Sequence, residues 1–160
     1  MLTFRKELLH SFQEGAPNCG PIALQCVFSN PLSEIEQIVK CTSKGTRTEN
    51  VVEGLRANGV SCEHIRLRAD GQTHLWWLET CSLRWPIYLA CDFVNQGKRG
   101  RPSHGHHAVL FANGMCYDGH AHREEPIGAI ALKFNKQLII NDLVIIEHEL
   151  PNWRKNMECA

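Results

Sequence analysis

Residues 13–28 read QEGAPNCGPIALQCVF and join a polar, turn-forming start to an apolar run. Within the apolar run, Ile22 and Cys26 are four residues apart, so they fall on one face of a helix. The pattern therefore predicts a helix over residues 20–28, with Cys19 directly before it. A cysteine at such a junction has two interpretations, a buried structural thiol or a reactive one.

The physical chemistry of a helix start favours a reactive thiol at Cys19. Backbone N–H groups there lack intrahelical partners, and together with the helix dipole they favour a thiolate and lower a cysteine pKa. The same groups can stabilise the oxyanion formed when a thiolate attacks a carbonyl. Gly20 would let a substrate approach the backbone closely. Position by itself leaves the structural interpretation equally good, so a nucleophile requires a base as well.

A candidate base occurs in GHHAVLF, which opens an apolar strand. Because neighbouring side chains of a strand point to opposite faces, only one of His106 and His107 can face the helix. The chain then reaches CYDG through Asn113–Gly114, a strong signal for a two-residue hairpin. Such a turn pairs residue 107 near position 120 and leaves Asp118 within diagonal reach of His107. A nucleophile, a base and an orienting carboxylate are the components of a catalytic triad.

A glutamine upstream completes a pattern that resembles a known family. Gln13 lies six residues before Cys19, and a side-chain amide there can donate a hydrogen bond to an oxyanion. With NCGPIAL, the later HHAVL and YDG, this spacing resembles the papain-like cysteine peptidases. Within them the chain is most similar to the double-glycine leader peptidases of bacteriocin exporters and their free-standing relatives. The resemblance covers about residues 10–125 and departs from the family at Asp118, which Gly follows where the family has Pro.

The resemblance assigns a role to each of these residues. It implies that Cys19 is the nucleophile, His107 the general base and acid, and Asp118 the residue that orients the imidazole. It also implies that Gln13 and the backbone N–H of Cys19 hold the oxyanion. His107 is preferred to His106 because it directly precedes an Ala-Val pair, as the family's histidine precedes a small or aromatic residue and Val. Residues predicted to contact the substrate beside this triad are Gly20, Gly105 and His106.

The remaining sequence predicts helices first and strands second. A second helix is expected from Ser33, since Glu36 three residues later forms a capping-box pattern. A third is expected from Thr46 or Thr48 to Asn58–Gly59. HLWWLETC is expected to be a short helix. Strands are expected in VSCEHIRL, WPIYLACDFV, the HHAVLFANGMCYDGHA hairpin, AIALKF and LVIIEHEL.

This order predicts an α+β fold in which N-terminal helices pack on a C-terminal antiparallel sheet. The resemblance implies that residues 1–160 form one papain-like cysteine peptidase domain. A chain of 160 residues with 43% hydrophobic content is long enough for one domain with a real core. The formal net charge of zero gives no reason to expect a nucleic acid or membrane surface as partner. The partner expected is a peptide or protein substrate.

Cysteine and histidine usage also bears on compartment and cofactors. The eight cysteines include no CxxC pair, and several lie in apolar runs, which favours thiols in a reducing, cytoplasmic setting. No signal peptide or membrane-spanning run is recognised. Histidines crowd one region without a familiar zinc spacing, so no metal or other cofactor is expected; they are His104, His106, His107, His120 and His122.

The function predicted from sequence is hydrolysis of a peptide or isopeptide amide through a thioester acyl-enzyme. Acyl transfer, transglutamination or deamidation on the same triad is one alternative, because these reactions share the acyl-enzyme and differ in the acceptor. A catalytically silent domain that binds a peptide or a partner is the other. The sequence leaves the substrate and the oligomeric state open.

Overall fold

The computed structural model describes residues 18–25, 27–28, 30–70, 78, 80–96, 102–118, 123–126 and 137–147. For residues 67–70, 93–96, 102–106, 118, 123–126 and 137–138 it describes the backbone. The helices are α1 (Cys19–Leu24), α2 (Leu32–Ile38) and α3 (Thr48–Ala57). The strands are β1 (Cys62–Asp70), β2 (Ile87–Gln96), β3 (Pro102–Ala112), β4 (Met115–Asp118), β5 (Arg123–Pro126) and β6 (Gln137–Ile146).

The six strands form one sheet in the order β1-β6-β2-β3-β4-β5. Every neighbouring pair is antiparallel, so the predicted α+β class with helices preceding an antiparallel sheet is confirmed. β2 lies in the interior, between β6 and β3. β6 carries a bulge at Asn141, because Ala90 and Cys91 of β2 pair with Asp142 and Ile140 in turn. The bulge turns the β6 backbone beside the middle of β2.

The sheet buries side chains on both faces. On the face that carries the helices, Leu24 of α1 and Leu55 of α3 pack with Leu110 and Val144 in one buried cluster. A second cluster forms on the opposite face around Leu89, Phe111 and Leu143, with Leu78 against it. Alternation along β2 explains the division, since successive residues of IYLAC belong to opposite faces.

The expected capping box at the start of the second helix is wrong. α2 begins one residue before Ser33, and its N-cap is Pro31, which makes no side-chain capping hydrogen bond. The proline already holds φ at −56°, so the chain enters the helix without a serine cap. Glu36 instead accepts a hydrogen bond from Asn18 Nδ2 at 3.1 Å, which ties α2 to the residue before α1.

The third helix ends where the sequence predicted. Asn58 is the C-cap of α3, its Nδ2 donates to the carbonyl of Gly54 at 2.8 Å, and Gly59 follows with φ of +76°. That left-handed conformation is open to glycine at little cost and reverses the chain into β1.

The hairpin between β3 and β4 is also confirmed. Asn113 and Gly114 have φ of +54° and +75°, the pattern that an Asn-Gly turn adopts, and Leu110 pairs with Tyr117 in the predicted register. Strand β5 was not predicted, because REEP lacks an apolar alternation. The predicted AIALKF strand lies outside the described residues.

Among the described residues, the longest helix is α3 with 10 residues, and no helix there has the length and apolar character of a membrane span. The six cysteines whose side chains the structure describes are reduced thiols. Cys26 and Cys159 lie outside those residues.

Candidate active site

Cys19 is the first residue of α1, at the end of the helix that faces β3. The first hydrogen bond inside the helix runs from Ile22 N to Asn18 O at 3.0 Å. The N–H groups of Cys19 and Gly20 come before this bond and therefore lie outside the helical ladder, and Pro21 has no N–H. The N–H of Gly20 donates to the Cys19 sulfur. The helix start thus supplies one backbone donor to the sulfur, the N–H of Gly20.

His107 of β3 contacts this thiol. Its side chain hydrogen-bonds to Cys19 of α1. His107 is only 4% exposed. The β3 backbone contributes too, because the N–H of Ala108 donates to the same sulfur. Cys91 Sγ in turn donates to the carbonyl oxygen of His107 at 3.5 Å, which helps to fix the β3 backbone there.

The surroundings favour the thiolate form of Cys19. Burial raises the pKa of the thiol, and it is the largest single influence. The hydrogen bond from His107, the charge of its imidazolium and the N–H groups of Ala108 and Gly20 lower the pKa, and together they outweigh burial. The pKa of Cys19 therefore lies below its ordinary value, as expected for a thiolate–imidazolium pair.

The structure places the other predicted site residues less completely. Gly105 and His106 lie in β3, opposite Phe93 and Asp92 of β2. Their side chains, like that of Asp118, lie outside the described part of the structure. Asp118 is the last residue of β4, on the strand next to the one that carries His107. Gln13 lies outside the described residues.

An open cleft of about 630 Å³ contains the Cys19–His107 pair. Gly20 lines it but is itself buried. A Cβ at Gly20 would lie 2.9 Å from the Tyr88 hydroxyl and 3.2 Å from Thr46 Cβ. On the side where a Cβ would project, Gly20 is thus covered by two side chains of this chain.

Charged groups of β1 link two residues that line the cleft, Asp142 and Glu49. His64 Nε2 of β1 donates to Asp142 Oδ1 of β6 at 2.7 Å, and Arg66 Nε lies 3.6 Å from the same oxygen. Arg66 also pairs with Glu49 in the first turn of α3. The pKa of Glu49 is lowered, first by its own backbone N–H and then by the Arg66 charge. This network joins α3 to the sheet at the wall of the cleft.

Sequence reasoning missed the strand residues that line the cleft beside the reactive pair. Tyr88, Ala90 and Asp92 of β2 alternate on one face, and Asp142 of β6 lies next to Ala90. The period of two in YLACD was a signal that one face of this run differs from a plain core strand.

Metal ligation finds no geometric support in the described part of the chain, where no three His, Cys, Asp or Glu side chains are grouped to hold an ion. What the described residues do bring together is a thiol and an imidazole, those of Cys19 and His107. No protein-family model matches this chain, and a search of curated proteins finds no significant match.

Proposed function

We propose that this protein is a cysteine peptidase of papain-like fold that hydrolyses a peptide or isopeptide amide. One observation carries the proposal: the Cys19 thiol, with a lowered pKa, hydrogen-bonds to His107 in an open cleft. A nucleophile on a short helix and a base on an antiparallel strand beneath it also support the papain-like arrangement. Pairing of this kind is the usual way to activate a cysteine for attack on a carbonyl.

The first step forms the acyl-enzyme. The Cys19 thiolate attacks the carbonyl carbon, a C–S bond forms, and the carbonyl electron pair moves to oxygen. The backbone N–H of Cys19, which lies outside the helical ladder, is a donor for that oxyanion, and Gln13 is the second donor in this proposal. His107 then gives its proton to the leaving nitrogen as the C–N bond breaks.

The second step releases the acyl group. His107, now neutral, accepts a proton from water as the water oxygen attacks the thioester carbon. The C–S bond breaks, and the electron pair returns to sulfur, which restores the thiolate–imidazolium pair. Asp118, on the neighbouring strand, is proposed to orient the imidazole during both steps.

The test is site-mapped alkylation. The protein is treated briefly with limiting iodoacetamide from about pH 5 to about pH 9, and labelled cysteines are mapped by mass spectrometry. We expect Cys19 to label fastest and to remain reactive well below the free-thiol pKa of about 8.5. Cys62, whose pKa is raised by burial, is the internal comparison and should label slowly. His107→Ala should abolish the low-pH reactivity of Cys19.

Three outcomes would contradict the proposal. Uniform slow labelling, or preference for another cysteine, would leave no activated nucleophile. Loss of the low-pH reactivity in His106→Ala, with His107→Ala unaffected, would mean that the wrong histidine faces the thiol. Cys19→Ala should fold normally and lose all turnover, and retained turnover would refute the mechanism.

A further inference from the structure

Asn18 is the N-cap residue of α1, but its side chain does not cap the helix. Asparagine is a preferred N-cap residue because its side-chain oxygen accepts from the N–H of the second or third helical residue. In α1 those residues are Gly20 and Pro21, and proline has no N–H. The Gly20 N–H is therefore the donor that a side-chain cap would use.

The Gly20 N–H donates instead to the Cys19 sulfur. A capping oxygen on Asn18 would accept from the same N–H and would share it with the sulfur. The start of α1 thus offers one donor for which a thiolate and a capping side chain can compete. The direction of the Asn18 side chain decides which of them receives it.

Glu36 of α2 holds the Asn18 side chain away from that donor. Asn18 Nδ2 donates to Glu36 Oε1 at 3.1 Å, and a carboxylate accepts, so the amide nitrogen is directed toward α2. The backbone agrees, because the Asn18 ψ of +24° lies outside the extended region that a capping residue usually adopts. Asn18 is also buried, which limits other orientations of its side chain.

This arrangement leaves the amide oxygen of Asn18 unpaired. Oδ1 is buried and has no hydrogen-bond partner in the described part of the structure. A buried acceptor without a partner lowers stability, and a capped helix would have avoided the loss. Departures of this kind from a local stability rule are expected mainly at functional sites. Here the departure directly precedes Cys19.

Glu36 is itself held by the packing of α2. Its carbonyl oxygen accepts from the N–H of Cys41 at 2.8 Å, where the chain leaves the helix. At Ile38 the same helix packs closely against Gly54 of α3. The acceptor for Asn18 therefore belongs to a fixed element and not to a mobile surface group.

Resting on the proposed role of Cys19 as nucleophile, we infer that Asn18 and Glu36 are positioning residues, which keep a backbone N–H at the start of α1 available to the Cys19 sulfur. That N–H belongs to Gly20. Glu36 draws the Asn18 amide toward α2, and Pro21 removes the other donor that a cap could use. The helix gives up a stabilising cap, and the thiolate keeps its donor.

Two substitutions of Asn18 separate this role from a structural one. Serine and alanine are both too short to reach Glu36 as asparagine does, but serine caps helices well and alanine does not. We expect Asn18→Ser to slow the alkylation of Cys19 by iodoacetamide about fivefold at about pH 6, because its hydroxyl accepts from the Gly20 N–H. Asn18→Ala should keep the wild-type rate. At about pH 9 the three proteins should react alike, since the thiol is then ionised in each.

Substitutions of Glu36 test the same competition from α2. Glu36→Ala frees Asn18 to cap and should slow the alkylation at about pH 6, whereas Glu36→Gln keeps the acceptor oxygen and should not. Loss of a negative charge alone would have the opposite effect, because it favours the thiolate. Adding Asn18→Ala to Glu36→Ala should restore the rate, since no side chain then competes. Glu34→Ala removes an exposed carboxylate of the same helix and is the control.

The other titratable groups near the thiol stay unchanged in these variants. From the strands packed against α1, those that line the cleft with Cys19 are His107 on β3 and Tyr88, Cys91 and Asp92 on β2. A difference between serine and alanine at position 18 therefore reports the donor at the helix start.

The two proposals fail in different ways. Equal rates for Asn18→Ser and Asn18→Ala at about pH 6 would overturn the positioning role, while fast alkylation of the wild type still supported the peptidase. Failure of Asn18→Ala to rescue Glu36→Ala would overturn it as well. Slow alkylation of Cys19 in the wild type would overturn both proposals. If Glu36→Ala does not fold, the comparison of serine with alanine decides.

Discussion

Gly20 is held between two side chains directly beside Cys19. A Cβ there would lie 2.9 Å from Tyr88 Oη, closer than real Cβ atoms pack, and 3.2 Å from Thr46 Cβ, which is a tight contact. Tyr88 is buried, and burial raises the pKa of its hydroxyl, with the Cys19 charge adding to the effect. The glycine is therefore required by packing, and the position of Cys19 depends on it.

We expect Gly20→Ala to lower the free energy of unfolding by about 1–3 kcal/mol, as overpacking usually does. It should also slow alkylation of Cys19, because the helix start must move. Urea denaturation and iodoacetamide kinetics measure the two effects. Adding Tyr88→Phe removes the closest atom and should restore part of the loss, so a strictly additive double mutant would contradict this account.

At the scale of single residues, the sequence was informative where the chemistry is local. Cys19 before an apolar run and His107 at a strand start are visible in short segments, and the structure brings them together. Whether they act as base and nucleophile stays a prediction. Asp142 was not visible, because its place beside Ala90 depends on strand order and on the β6 bulge at Asn141.

α3 and α2 cross at a glycine. A Cβ at Gly54 would lie 2.8 Å from the carbonyl oxygen of Ile38 and 2.8 Å from its Cγ2. A backbone carbonyl cannot turn away as a side chain can. The glycine thus allows α3 to approach the end of α2.

We predict that Gly54→Ala destabilises the protein, although alanine is favoured over glycine inside a helix by about 1 kcal/mol. The clash with the Ile38 carbonyl should outweigh the propensity gain, for a net loss of about 1–2 kcal/mol by thermal or urea denaturation. Adding Ile38→Ala removes the Cγ2 contact and leaves the carbonyl, so it should not rescue the variant. A Gly54→Ala protein more stable than the wild type would refute this packing.

Element ends followed the sequence where one residue type dictates the backbone. Asn58–Gly59 ends α3, and Asn113–Gly114 turns the β3–β4 hairpin, because glycine and asparagine accept positive φ. The start of α2 did not follow, because Ser33 matches a capping pattern that Pro31 makes unnecessary. Local signals compete, and tertiary contacts such as Asn18 to Glu36 decide between them.

At the scale of the whole molecule, Cys19 and one of the two buried core clusters lie on opposite faces of the sheet. Cys19 packs against the core cluster on the face that carries the helices, whereas Phe111 and Leu143 are buried on the opposite face. Stability and thiol chemistry should therefore respond differently to changes on the two faces.

We predict that Phe111→Leu costs about 1–3 kcal/mol of unfolding free energy, because it leaves a small cavity in a fully buried position. The pH dependence of Cys19 alkylation should stay that of the wild type. Leu24→Ala, in the helix that carries the thiol, is the comparison and should change both measurements. A shifted alkylation profile in Phe111→Leu would mean that the two faces are coupled.

At this scale the sequence predicted the class of fold but not its topology. Helices before strands were readable from periodicity, yet the insertion of β6 between β1 and β2 was not. Such long-range pairing depends on which apolar faces meet across the chain. That insertion brings His64 and Arg66 beside Asp142, which lines the cleft.

The contact between Cys19 and His107 joins two segments far apart in the chain, so it exists only while the chain is folded. Unfolding would return Cys19 to an ordinary thiol and make it less reactive at low pH. Buried cysteines such as Cys62, Cys91 and Cys116 would change in the opposite direction, since unfolding exposes them. The protein therefore carries its own indicator of the folded state, in which the loss of one thiol's reactivity and the gain of the others report the same transition with opposite sign.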